Sequence, residues 1–192
     1  VAGGALQAYS TYEQMTGGVD KLFGDASGRL QAYAAQAYQT SGMSANQYMQ
    51  QATSFSAALI NSLGGDTAKA ADMADVAMRA MSDNVNVFGS NAEDVQNAIM
   101  GISRQNYTML DSLKLGYAGT KEGMQQLIKD ANAWGAANGE ASDLSIDSFA
   151  DCVQAIEQIQ EKQGIAGTTA KEAAGTIEGS WNMAKAAWED YL

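Results

Sequence analysis

The sequence predicts an all-α fold, an irregular multi-helix bundle of about seven to nine helices joined by short, glycine-rich connections. Three observations point there. Proline is absent from all 192 residues while glycine occurs 20 times, so glycine carries the turn punctuation that proline usually shares. Ala, Gln, Met and Leu, all strong helix formers, fill the stretches between glycines. Apolar residues recur every three to four positions, and no stretch alternates as a strand does.

The elements follow in order. Ala5 to about Phe23 is a first helix or helix pair, broken near Gly17-Gly18. Ala26–Gln39 carries Leu30, Tyr33, Ala34, Ala37 and Tyr38 at helical spacing. Ser44 and Gln47 form a capping box for a helix with Tyr48, Ala52, Phe55 and Leu59 on one face. Asp66 caps the next, through about Val87, with Ala70, Met73, Ala77, Met81 and Val85 inward. Asp83, Asn84 and Asn86 read as the end of that helix, because Asn and Asp tolerate turn conformations. Asn91 caps a helix carrying Val95, Ile99 and Ile102. Thr120 caps Lys121 to about Ala137, and Ser145 caps Ile146–Lys162. Thr169 and Glu172 make a second capping box, opening a helix through Ile177, Trp181 and Trp188. The polar stretch Ala136–Leu144 is the sharpest linker. It divides a helical bundle (1–138) from a C-terminal helix pair packing on it (139–192), with one continuous domain as the alternative.

Charge and composition narrow the functional classes. The net charge is −11 with only 11 basic residues, which opposes the counterion release that nucleic-acid binding needs. Glu140, Asp143, Asp147, Asp151, Glu157 and Glu161 form an acidic run without a base among them, read as a solvated helix face. No apolar run approaches the ~20 residues of a membrane span. The chain begins at Val1 and ends within a helical pattern, which reads as a piece of a longer protein.

Catalytic and ligand chemistries fail on residue type or spacing. Histidine, the commonest general base and zinc ligand, is absent, so Cys152 has no imidazole partner and reads as a small buried hydrophobe. Asp143, Ser145, Asp147 and Asp151 match part of a calcium-loop spacing. Ser148 then stands where the loop needs Gly, and Gln154 where it needs a bidentate Glu. Gly116, Gly119, Thr120 and Lys121 lack phosphate-loop spacing. Met73, Met78 and Met81 read as core, with a groove for a partner helix as the sharper alternative. Gly175 and Gly179 read as a close packing contact, and Trp181 and Trp188, two turns apart on one face, are a candidate interface. The expectation is therefore no catalytic residue, no cofactor and no metal.

The run Gln105–Thr120 is the most distinctive segment. It concentrates Tyr107, Met109, Leu110, Leu113, Leu115 and Tyr117 in a stretch too apolar for a surface loop and too short for a long helix. Thr108 can cap a short helix with Asp111 in its first turn, and Gly116 can end it. The reading is a buried connector that fixes how two helices meet, with Gln105, Asn106 and Gly119 completing its signature.

Arg104–Lys121 resembles the signature stretch of phage tail tape measure proteins, in the large family found in siphophages of Gram-positive bacteria and their prophages. Tyr12-Glu13-Gln14 with Gly17-Gly18-Val19 and Leu22-Phe23-Gly24 is similar to the family's opening. Thr40-Ser41-Gly42 with Asn46, Met81–Asn84 with Asn86 and Gly89, and Ile165–Ala173 follow in the family's order. Arg79, Val85, Val87 and Phe88 depart from it, as does the absence of the histidine that relatives often carry near Ile156-Glu157. The resemblance implies a structural protein that sets tail length by its own extended length and lies in the lumen of the tail tube. It implies tail tube protein and tail assembly chaperones as partners, assembly in the host cytoplasm, and ejection ahead of the DNA. Homo-oligomerisation through the full-length protein also follows from it. A membrane-active delivery domain of the same protein is the alternative, and a peptidoglycan-cleaving domain a distant one.

Overall fold

Side chains at helix starts organise much of the chain locally. Ser44 and Gln47 form the reciprocal capping box, Asp66 accepts from Lys69 N at 3.0 Å, Asn91 accepts from Glu93 N and Asp94 N, and Thr120 accepts from Gly123 N at 3.0 Å. Each satisfies N–H groups that the first helical turn leaves unpaired. The computed structural model describes residues 2–176. Among them are seven α-helices and no strand: α1 (Ala2–Phe23), α2 (Ser27–Thr40), α3 (Ala45–Ser62), α4 (Thr67–Phe88), α5 (Ala92–Ser103), α6 (Lys121–Asn138) and α7 (Phe149–Lys162). Short 3₁₀ turns lie at Gly24–Ala26 and Leu110–Leu113, and residues 168–176 are helical again.

α4 is the hub. Eleven of its 22 residues are buried, far more than one amphipathic stripe provides, so it must be covered on several sides. It packs against α2, α3, α5 and α7, while α3 also receives α1 and α2, and α6 lies against α7. The core around it runs from Phe23 and Leu30 through Tyr48, Met49, Phe55, Leu59 and Met78 to Leu127 and Ile156, all at most 2% exposed. Phe55 and Phe149 meet edge to face with centroids 6.3 Å apart, joining α3 to α7. Of the three methionines considered for a groove, Met78 and Met81 are buried and Met73 is half-buried.

Several local expectations are corrected. α1 runs unbroken through Gly17-Gly18, because Val19 and Phe23 beyond them are fully buried. That packing outweighs a helix penalty of about 1 kcal/mol per glycine. Asp83-Asn84 do not end α4. They are buried inside it, and Gly89, at φ 62°, closes the helix in the left-handed region. α7 begins at Phe149 rather than Ile146, with Ser148 as its cap. Asp151 Oδ2 accepts from Ser145 N at 3.0 Å and holds Ser145 in the preceding turn. The Thr169–Glu172 capping box does not form, because helix starts at residue 168 and the Thr169 N–H is given to Asp83. Ile177, Gly179, Trp181 and Trp188 lie outside the described residues.

The stretch Ala136–Leu144 is pinned at several points. Asn132 donates to the Leu144 carbonyl at 3.0 Å and accepts from Leu144 N at 2.9 Å. Gln158, fully buried, donates to the carbonyls of Ala131 and Ala141, each at 2.9 Å. A Cβ on Gly135 would overlap the Ala141 carbonyl, so the close return of the chain depends on that glycine.

Candidate functional site

The connector Arg104–Lys121 begins where α5 stops. Arg104 N and Asn106 N both donate to the Gly101 carbonyl, at 2.9 and 2.8 Å, and Gln105 takes a left-handed φ of 60° to turn the chain. The side chain of Asn106 accepts from both Thr108 N and Thr108 Oγ1, at 3.1 and 2.7 Å. Thr108 is therefore no helix cap. Its hydroxyl donates to Asn106, and the 3₁₀ turn Leu110–Leu113 starts one residue later, from Met109, without a side-chain cap.

The run then folds onto itself. Tyr107, Leu110, Leu113 and Leu115 are buried, Met109 and Tyr117 are half-buried, and Gly116 is exposed with φ 95°. Lys114 ends the 3₁₀ turn in the left-handed region at φ 54°, a role expected of Gly116. Gly119 lies against the Thr108 carbonyl, and Gly123 against the Ala118 carbonyl, so closely that a Cβ at either would overlap the oxygen. Tyr117 donates to Asp130 Oδ2 at 2.6 Å, and burial followed by that bond raises its phenol pKa. Tyr107 is shifted the same way, chiefly by burial and then by Cys152 and Asp147.

Two side chains from elsewhere in the chain fasten the connector. Asn84 Nδ2 of α4 donates to the Leu113 carbonyl at 2.6 Å, and Gln163 Nε2, just after α7, donates to the Leu115 carbonyl at 2.9 Å. The Leu113 carbonyl, met by a buried amide, would otherwise lie inside without a donor. The structure thus brings Gln105, Asn106, Tyr107, Met109, Leu110, Leu113, Leu115, Gly116, Tyr117 and Gly119 into one folded strut between α5 and α6.

Comparison of the chain with family models, curated proteins and solved structures finds no match.

Polar chemistry elsewhere in the core holds the fold. Asp75, 5% exposed, accepts from Tyr48 Oη at 2.7 Å and from Arg79 Nε at 2.9 Å. Burial, then Asp75, drives the Tyr48 pKa far up. Asp83, 3% exposed, accepts from Gly167 N at 2.8 Å and Thr169 N at 2.9 Å. It caps the helical segment that begins at residue 168 from a helix more than eighty residues earlier. Neither role has a local signature, although Asn84 and Gln160 do fall on the apolar stripes of α4 and α7. A polar residue on such a stripe is the signal for an internal hydrogen bond.

Cys152 is 1% exposed and its thiol is pushed up to about 12, first by burial and then by Asp151 and Asp147. Such a thiol stays protonated and is a poor nucleophile at neutral pH. Among the described residues no group of three or more His, Cys, Asp or Glu side chains is placed to hold a metal ion. Of the partial calcium loop, the Asp151 carboxylate accepts from Ser145 N, and the Ser145 hydroxyl accepts from Asp147 N, in the turn before α7. No helix among the described residues is long and apolar enough to cross a membrane.

Proposed function

We propose that this chain is a structural, non-catalytic segment of a phage tail tape measure protein. The observation that carries the reading is the run Arg104–Lys121, whose residues resemble that family's signature stretch. The geometry is compatible with it. The run's apolar side chains face inward and two of its carbonyls are held by Asn84 and Gln163, which suits an architectural strut better than an exposed reactive loop. The net charge of −11 suits a protein that shares a narrow tube with DNA and must not cling to it. On this reading the segment lies in the tail lumen within the full-length protein, meets the tail tube protein and, during assembly, the tail chaperones, and leaves ahead of the genome.

Tail length provides the test. An in-frame deletion of the segment from the phage genome, followed by electron microscopy of the tails, should shorten them. The change should be roughly 29 nm if its 192 residues contribute as continuous helix at about 1.5 Å each. Infectious particles with tails of unchanged length would overturn the reading.

A further inference from the structure

An open recess of about 420 Å³ lies between the end of α3, the starts of α4 and α7, and the connection from α6 to α7. That falls within the roughly 300–1,000 Å³ typical of clefts that take ligands. Its apolar floor comes from Leu63, Met73, Ala141, Leu144 and Ala150. Met73 is the one methionine of α4 that is half-buried rather than buried. Its flexible thioether side chain suits a surface that must fit a partner.

Hydrogen bonds set the walls. Asn132 holds the Leu144 amide and carbonyl, and Gln158 holds the Ala141 carbonyl. Ala150 N donates to Ser62 Oγ at 3.2 Å. A partner would therefore meet a surface already shaped, with little ordering to oppose binding.

The rim is rich in acceptors. Asp72, Asp143, Asp151 and Gln154 line it, with Lys69 as the single lining base. Asp72 Oδ1 accepts from both Arg29 Nε at 2.8 Å and Tyr33 Oη at 2.6 Å. Asp151 Oδ2 accepts from Ser145 N at 3.0 Å. These bonds orient each carboxylate through one oxygen, and Asp72 Oδ2 and Asp151 Oδ1 take no part in them. Asp143 is exposed. The lining acids outnumber the base, in a chain whose net charge is −11. No three acids among the described residues are placed to hold one metal ion. Charges spread around a floor in this way suit several donors on one partner, not a single bound cation.

We propose that this recess docks a cationic amphipathic peptide segment of a partner protein. Its apolar side chains fill the floor at Met73 and Leu144, and its lysines or arginines meet Asp72, Asp143 and Asp151. The floor supplies the apolar contact that helix-in-groove recognition uses, and the rim selects the charge of the partner.

Titration of the isotope-labelled 192-residue chain with a synthetic amphipathic helix of leucines and lysines tests the site by amide chemical shifts. Met73, Asp143, Leu144 and Ala150 should shift while the α5 amides stay in place. The same peptide with glutamate for lysine should not bind. Asp143→Asn should weaken binding about two- to fivefold, the worth of one exposed ion pair. Met73→Lys, which puts a like charge on the floor, should weaken it at least about tenfold. Glu93→Gln, at an exposed acid on α5, should leave it unchanged. Should Met73→Lys fail to fold, Asp143→Asn against Glu93→Gln decides. No binding, shifts spread over the acidic surface, equal binding of the glutamate peptide, or wild-type affinity in a folded recess variant would each overturn the docking site. So would a Glu93→Gln loss equal to that of Asp143→Asn.

Discussion

Asn84 and Leu113 are joined across 29 residues of sequence by one hydrogen bond, in which the buried Nδ2 on α4 donates to the backbone carbonyl at 2.6 Å. It ties the central helix to the end of the 3₁₀ turn. Asn84→Ala removes the only donor seen for that carbonyl among the described residues. It should lower unfolding free energy by about 1–3 kcal/mol in urea titration, the usual penalty for an orphaned buried polar group. An unchanged midpoint would show that the carbonyl finds solvent instead.

Leu113 itself is 1% exposed. Leu113→Ala should cost roughly 2–5 kcal/mol, the range for buried leucine truncation that leaves a partly unrelaxed cavity. A loss well below one would mean that the connector is free to collapse or move away from the core.

Lys114 and Gly123 make opposite predictions a few residues apart. Lys114 is exposed and held at φ 54°, so Lys114→Gly should leave stability unchanged or raise it by up to about 1 kcal/mol. At Gly123 the space for a Cβ is taken by the backbone of Ala118, so Gly123→Ala should destabilise by at least about 1–3 kcal/mol despite alanine's better helix propensity. Thermal melts of the two variants should shift in opposite directions, or the first not at all.

Cys152 predicts a kinetic difference. With its thiol pushed up to about 12 and the side chain 1% exposed, a disulfide reagent at pH 8 should label the native chain at least about a hundredfold more slowly than the urea-unfolded chain. Because burial raises this acid, the associated stability is present below the ordinary thiol value of 9.0 and is lost as pH climbs from there toward 12. Fast labelling of the folded protein would place the thiol at the surface.

Helix identity was legible because its causes are local. Ser44 with Gln47, Asp66, Asn91 and Thr120 each act on amides two or three residues away, and each was readable from spacing alone. Errors arose where two local solutions compete. Ser145 and Ser148 are both competent caps, and the choice falls to Ser148 once Asp151 takes the Ser145 amide. Thr108 turns its hydroxyl to Asn106, and the 3₁₀ turn starts from Met109 instead. The connector's apolar side chains were legible as buried, whereas its fasteners, Asn84 and Gln163, were not. Asp83 likewise looked like a helix terminator, because its partners at residues 167–169 lie beyond any local window.

That separation bears on how the chain is made. α4 is finished well before the segments that its polar side chains serve. On a ribosome, Asp83 and Asn84 must stay hydrated until Leu113 and then Gly167–Thr169 have emerged. The centre of the molecule therefore closes late, under the control of turns synthesised long after α4. A nascent chain halted before residue 167 would have to bury a lone carboxylate to complete its core, and should instead keep that region open to chaperones and proteases.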